Sequence, residues 1–361
     1  MRDGKNVYII AEAGVNHNGS IEMAKQLVDV AAAAGANAVK FQSFKAENLA
    51  TADAPKAEYQ SRTTSQDESQ FSMLKKLELD ENAHRLLVEY CQESGIEFLS
   101  TPFDLQSVDL LAKELEIGKF KISSGDLSNA PLLLYVAMTG KPVILSTGMS
   151  TMDEVEEALG VLAFGYLKST GETPSREAFQ QAYHSESGQA ALKKDVSLLH
   201  CTTEYPAPFA EVNLLAMDAL RNAFDLPTGF SDHTQGFAVA LAAVARGATI
   251  IEKHFTMDRS LSGPDHKASL EPDELKKMVA GIRQVEEALG TGKKAPTPSE
   301  EKNKAIARKS LVARQFIRRG EIFTAENLTC KRPGDGIAPI HYWEWVGKQA
   351  NCDYEKDEQI K

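Results

Sequence analysis

No stretch of this chain approaches the ~18 apolar residues that a helical membrane span needs, and none is expected. The opening run, MRDGKNVYIIAEAG, has too short an apolar segment for a secretory leader, and acidic residues follow it. Cysteine is scarce: Cys91, Cys201, Cys330 and Cys352 stand far apart and form no CxxC pair. That spacing argues against a disulfide framework and suits reduced thiols in a cytoplasmic protein. Positive charge is outweighed, with 40 Lys and Arg against 51 Asp and Glu, a net charge of −11. Basic clusters are no longer than Lys75-Lys76 and Arg318-Arg319. Such a balance argues against a nucleic-acid surface but leaves room for a local basic pocket. Tryptophan is confined to Trp343 and Trp345, which flank Glu344 and are expected to pack within the C-terminal region.

What is present has a clear rhythm. Hydrophobic residues make up 42% of the chain, an ordinary globular share, and 361 residues suit one large domain plus a small one. Thr228–Thr256 shows the repeating unit: TGFSDH and TIIEKH are each a short apolar run followed at once by a polar cluster with a histidine, His233 and His254. Between them Phe237–Arg246 is Ala-rich, without Gly or Pro, and predicts a helix. Strand, helix, strand makes two parallel neighbours with both C-terminal ends on one face. The two histidines would then stand side by side as metal ligands, whereas either alone reads equally well as a local strand cap.

Similar units run through residues 1–290. Strands are predicted at Val7–Ala11, Ala38–Phe41, Glu97–Ser100, Lys119–Ile122, Pro142–Leu145 and Ser197–His200, besides the two just described. Each meets a polar cluster, and helices follow most of them, at Ile21–Ala34 (capped by Ser20 and Gly35), Leu77–Ser94, Leu105–Leu115, Ala130–Met138, Met152–Ala163, Val212–Ala223 and Glu271–Leu289. Eight such units favour a (β/α)8 barrel over an open doubly wound sheet, with every polar cluster at one end. Residues 46–72 read as a long irregular loop, and 165–194, with His184, as a surface insertion away from the chemistry. Residues 291–307, with Pro296 and Pro298, read as a polar linker, and 308–361 as a small second domain that needs support from the barrel or a partner.

The strand ends collect the candidate chemistry. Lys40 and Lys121, among Ser123, Ser124, Ser146, Thr147 and Ser231, suit an anion such as phosphate, with Glu12 on the same face. A divalent metal on His233 and His254 beside that anion suggests a phosphorylated substrate and a polarised carbonyl. The plain readings differ: a lysine beside a carboxylate is also a structural ion pair, and Ser or Thr after a strand is an ordinary cap. His17 reads as a loop hydrogen-bonder, His200 as a core residue and Met149 as filler.

Taken in order, AEAGVNHNG, VKFQSFKAE, FLSTPFD, FKISSGD, ILSTGMS, LLHCTTEYPAPF, GFSDHT, IEKHFT, SGPDHKASLEP and KRPGDGI resemble the motifs of the bacterial sialic acid synthases, makers of nonulosonic acids. The resemblance covers nearly the whole chain, and the C-terminal unit resembles that family's antifreeze-like (SAF) domain. It implies condensation of phosphoenolpyruvate with an N-acetylmannosamine-type sugar and release of phosphate by C–O cleavage. It implies Mn2+ or Mg2+ on His233 and His254, and catalytic roles for Glu12 and Asp265. Lys40, Lys121, Ser124, Ser146 and Ser231 match phosphoenolpyruvate-binding positions. Gln42, Thr101, Phe103, Tyr205 and Asp265 match positions around the sugar or a metal-bound water. Arg332 matches an arginine that reaches a partner's barrel, which implies a domain-swapped homodimer. Asp126 stands where family members often carry Glu, and Thr203 where some carry Asn; both positions lie near the sugar in the family, so they bear on which sugar is used. The overall pattern is most like the legionaminate branch, which uses 2,4-diacetamido-2,4,6-trideoxymannose. The N-acetylneuraminate branch, which uses N-acetylmannosamine, is next, and pseudaminate synthases are more distant.

Two other functions compete. A Schiff-base aldolase would use Lys121 or Lys40, and borohydride would trap it with pyruvate. A carbohydrate- or ice-binding protein is suggested only by the C-terminal unit, and it has no need of so many polar strand ends.

Overall fold

The computed structural model describes residues 6–64, 68–168 and 172–361. The first residues of the chain, and short parts of the expected loop and insertion, fall outside them. Two compact units are present, Met1–Gly290 and Thr291–Lys361.

In the first unit the strands are β1 (Tyr8–Gly14), β2 (Ala38–Ser43), β3 (Glu97–Pro102), β4 (Phe120–Ile122), β5 (Val143–Ser146), β6 (Val196–His200), β7 (Thr228–Asp232) and β8 (Ile250–His254). All pairs are parallel, in the order β3-β2-β1-β8-β7-β6-β5-β4. The end strands β3 and β4 lie in contact, so the sheet comes round into a nearly closed (β/α)8 barrel, as the repeating units predict. The helices are α1 (Ile21–Ala34), α2 (Ala46–Leu49), α3 (Glu58–Thr63), α4 (Gln70–Leu77), α5 (Glu81–Glu93), α6 (Leu105–Asp109), α7 (Ala130–Met138), α8 (Met152–Leu167), α9 (Arg176–His184), α10 (Glu186–Asp195), α11 (Leu215–Phe224), α12 (Ala238–Ala245) and α13 (Pro272–Leu289).

Local chemistry explains the helix bounds. The Ser20 hydroxyl accepts from the Met23 amide, and Gly35 takes the left-handed conformation (φ 81°) that returns its amide to Ala31 and Ala32. Between those caps Ala24, Leu27, Val28, Ala31 and Ala34 recur at helical spacing and are buried. Full burial of Leu27 or Val28 contributes about 1.5–3 kcal/mol each.

The barrel interior is layered. Ile10, Ala38, Leu99, Ile144, Leu199 and Ile250 form one buried apolar cluster. Side chains alternate along a strand, so residues two further on share the same interior. Those residues are Glu12, Lys40, Thr101, Ser146, Cys201 and Glu252, all buried. An apolar plug therefore supports a polar layer at the strand C-terminal ends. Gly229 belongs to the plug because a Cβ there would stand 2.3 Å from the Ile250 carbonyl oxygen.

Several expectations need correction. Residues 46–72 are not one irregular loop: they carry α2, α3 and the start of α4, and Glu78 accepts from the Ala46 amide to tie this region together. The 165–194 segment is largely helical, with α9 and α10 packed on α8 and Phe179 against Phe164. Met149 is 70% exposed with φ 62°, a turn residue rather than filler. The π-helical turn Leu110–Glu114 ends the α6 region. His17 does bond within its loop, accepting from the Gly19 amide. His200 is only part-buried, held by the Val212 carbonyl oxygen.

In the second unit the expected linker is partly helical. Thr297 and Glu300 form a capping box at the start of α14 (Pro298–Ala307). Antiparallel β9 (Ser310–Ala313) and β10 (Leu328–Lys331) follow, then α15 (Tyr342–Trp345). Leu311, Ile317, Phe323, Leu328, Tyr354 and Ile360 make its core. Trp345 packs edge-on to Phe323, whereas Trp343 is 78% exposed and does not join that core.

Candidate active site

The polar layer opens into a cavity of about 360 Å³ at the strand C-terminal ends. Glu12, Lys40, Gln42, Thr101, Phe103, Lys121, Ser124, Ser146, Thr203, Tyr205, Ser231, His233, His254 and Asp265 all line it. Eight strands and their loops thus bring together residues spread over some 250 positions of sequence. Asp126 does not line the cavity. Its carboxylate is taken up locally, accepting from the Ser123 hydroxyl and the Asn129 amide, which fixes the turn after β4. Arg332 is exposed on the second unit, where its Nε donates to the Ala307 carbonyl oxygen.

One residue of the centre has no role in the sequence reading. Glu252 sits between the two lysines, 3.7 Å from Lys40 Nζ and 3.4 Å from Lys121 Nζ, and accepts from the Ser231 hydroxyl at 2.7 Å. Alternation along IIEKH was the available signal, since it puts Glu252 on the same face as His254. Lys40 also pairs with Glu12 at 2.6 Å and donates to Thr101 Oγ1 at 3.2 Å. Ser124 is fixed by the Gly148 amide at 2.9 Å and by Cys201 Sγ at 3.1 Å. Gly148 must lack a side chain, for a Cβ would meet Thr203 Oγ1 at 2.5 Å.

The two carboxyls are driven apart. Burial pushes Glu12 up to about 7 against the pull of Lys40. Burial also opposes charge on Glu252, but Lys121, Lys40 and the Ser231 hydroxyl outweigh it and hold that carboxylate down at about 2. Carboxyls separated in this way suit one exchanging protons and the other staying charged. Burial works against the ammonium of Lys40, yet Glu12 and Glu252 keep its pKa above the ordinary value. Lys121 is lowered by burial, with Glu252 restraining the shift. Burial raises Asp265 to about 6, and its carboxylate lies 3.9 Å from His254 Nδ1.

The histidines are uncharged. Burial lowers His233 to about 4 and His254 well below its usual value. Their rings lie 5.6 Å apart, and Tyr205 packs on His233 at 4.2 Å. His233 Nδ1 donates to the Thr202 carbonyl oxygen at 2.6 Å, which leaves Nε2 as a lone-pair donor. His254 Nδ1, Ser146 Oγ and Thr203 Oγ1 are buried without a hydrogen-bond partner among the described residues. Among those residues no three His, Cys, Asp or Glu side chains gather into a cation cage. Two neutral imidazoles, with the Nε2 lone pair of His233 available, could hold a cation whose other positions are left to substrate or water.

Residues 27–294 match the NeuB family, and residues 308–361 match the SAF domain. The chain belongs to the NeuB family. It is 52% identical to an N,N'-diacetyllegionaminic acid synthase of Campylobacter jejuni over 99% of each chain. An N,N'-diacetyllegionaminic acid synthase of Legionella pneumophila is 44% identical, covering 96% of this chain and 91% of that one. Among solved structures, an N-acetylneuraminic acid synthetase from Leptospira borgpetersenii aligns with a TM-score of 0.66 at 34% identity, over 83% of this chain and 90% of that one. The cavity of this NeuB-family chain thus sits in a barrel shared with sialic acid synthases.

Proposed function

We propose that this chain is a nonulosonic acid synthase, which condenses phosphoenolpyruvate with an N-acetylmannosamine-type sugar aldehyde, adds water and releases phosphate. The observation that carries this reading is two buried lysines and two uncharged histidines in one cavity. An anion site and an electrophile-activating site side by side match the two substrates.

Lys40 and Lys121 bind the phosphate and carboxylate of phosphoenolpyruvate, with hydroxyls from Ser124, Ser146 and Ser231. Gln42, Thr101, Phe103, Thr203 and Tyr205 surround the sugar. His233 and His254 would hold a divalent cation, Mn2+ or Mg2+, which supplies Lewis-acid polarisation of the aldehyde oxygen when bound. C3 of phosphoenolpyruvate attacks the aldehyde carbon, and C2 becomes cationic. Asp265, whose burial favours the protonated carboxyl, gives a proton to the oxygen that was the aldehyde's. Glu12, raised to about 7, takes a proton from the water that adds to C2. It returns that proton to the phosphate oxygen as the C2–O bond breaks, and the new C2 hydroxyl gives its proton to solvent, from which Asp265 is reprotonated, leaving a ketone. Glu252 stays charged and holds the lysines in place.

The sugar favoured is 2,4-diacetamido-2,4,6-trideoxymannose, giving N,N'-diacetyllegionaminate, because relatives at 52% and 44% identity bear that product's name. N-acetylmannosamine is the competitor. The enzyme acts as a homodimer in which Arg332 completes the partner's sugar site. Its unpaired cysteines suit a cytoplasmic location. No helix among the described residues is long and apolar enough to cross a membrane. Phosphate release from phosphoenolpyruvate with each sugar, in the presence of Mn2+, tests the reading. Higher kcat/KM with the diacetamido sugar is expected; no phosphate with either sugar would sink it.

A further inference from the structure

Behind the two histidines lies an ion pair that the chemistry above leaves without a role. Asp232 and Lys253 are neighbours across β7 and β8, and each immediately precedes a histidine. Their charged groups lie 3.1 Å apart, and both side chains are 0% exposed. Asp232 Oδ1 also accepts from the Thr234 amide at 2.9 Å and the Thr234 hydroxyl at 2.7 Å. The Lys253 ammonium donates to the Thr234 carbonyl oxygen. One network therefore ties the end of β7, the turn after it and the end of β8.

Its position follows from the pleat. Ser231, His233, Glu252 and His254 line the cavity, so the alternate residues Asp232 and Lys253 face away from it. A fully buried ion pair is a poor way to gain stability, because desolvation offsets the attraction and an apolar pair fills the same space at least as well. What it provides is a fixed distance and register between two strand ends. His254 has particular need of that. His233 is oriented by the Thr202 carbonyl oxygen and by Tyr205, whereas His254 Nδ1 has no hydrogen-bond partner among the described residues. Tyr205 and His233 pack on the His254 ring at 5.4 and 5.6 Å, but no hydrogen bond among the described residues fixes its Nδ1, so its place also depends on the backbone of β8, one residue from Lys253.

We propose that Asp232 and Lys253, with Thr234, are positioning residues that hold His233 and His254 at the separation a shared divalent cation requires. The inference rests on the assignment of those histidines under Proposed function.

The test measures Mn2+ binding to the full-length, metal-free protein by calorimetry, alongside Tm and steady-state kinetics. In the Asp232→Asn/Lys253→Met double variant both charges go together, so no lone buried charge remains, and the asparagine still accepts from Thr234. The double variant is expected to fold with a Tm within a few degrees of wild type. Its Mn2+ Kd should rise at least tenfold and kcat should fall at saturating sugar, while the KM for phosphoenolpyruvate stays within about threefold. Thr234→Val loosens the same network by one hydrogen bond and covers the case in which the double variant does not fold; its Kd should rise two- to fivefold. A folded double variant with wild-type Mn2+ affinity overturns the inference alone, as does an unchanged Kd in Thr234→Val. A wild-type protein that binds no Mn2+ overturns the metal assignment and the inference with it.

Discussion

Glu252 is the residue on which the anion site turns. Two ammonium groups buried in one cavity repel each other, and this carboxylate between them lowers that repulsion in the free enzyme. Glu252→Gln removes the shared partner of both lysines, and loss of one member of a buried pair typically costs about 3–5 kcal/mol. The variant's urea midpoint should drop accordingly. Added phosphoenolpyruvate supplies negative charge to the same lysines, so the gap to wild type should narrow when the substrate is present. An equal gap with and without substrate would count against the anion site. Glu12 has a different part. Its raised pKa suits proton exchange, so Glu12→Gln should lower kcat by about 10²–10⁴ with little change in the KM for phosphoenolpyruvate. The strand-end positions of Glu12, both lysines and both histidines were legible in the sequence, because short apolar runs ending in polar clusters have one reading in a barrel. Which carboxylate meets which lysine was not legible, since the Glu252 contacts depend on the closing of β8 onto β7 and β1.

The elements carry the site by their layering. The plug beneath the polar layer depends on close approach of β7 to β8 at Gly229, whose absent Cβ would sit 2.3 Å from Ile250 O. Gly229→Ala should push those strands apart and destabilise the barrel by about 1–3 kcal/mol. Denaturant unfolding measures this, and a neutral effect would show that the strands are free to shift. Helix ends were readable where a cap residue stands beside an apolar period, as at Ser20 and Gly35. The region after β2 was not, because α2, α3 and α4 are short and largely polar, and much of their order comes from tertiary ties such as Glu78 to Ala46. The residues of α9 and α10 likewise look like a polar insertion until α8 provides the surface on which they pack.

For the whole molecule, acid and assembly offer separate tests. His17 accepts from the Gly19 amide through Nδ1, and burial lowers its pKa to about 4. The folded state therefore resists a proton that the unfolded chain takes up near pH 6.5, so stability falls as pH drops from about 6.5 towards 4. This histidine contributes about 1.4 kcal/mol per pH unit to the slope, and His17→Gln should reduce the total by that amount in urea titrations at stepped pH. A slope unchanged by the substitution would exclude His17 as its source. If Arg332 serves a partner's site, Arg332→Ala should raise the KM for the sugar far more than that for phosphoenolpyruvate. Mixing it with Glu12→Ala subunits should then restore activity through hybrid dimers; equal effects on both substrates and no rescue would contradict the swap. The central claim, condensation with C–O cleavage, is tested most directly with phosphoenolpyruvate carrying 18O in the bridge between C2 and phosphorus. With the diacetamido sugar and Mn2+, the account predicts that the label leaves in the released phosphate and the product carries none. Label retained in the product, or no phosphate released, would contradict it.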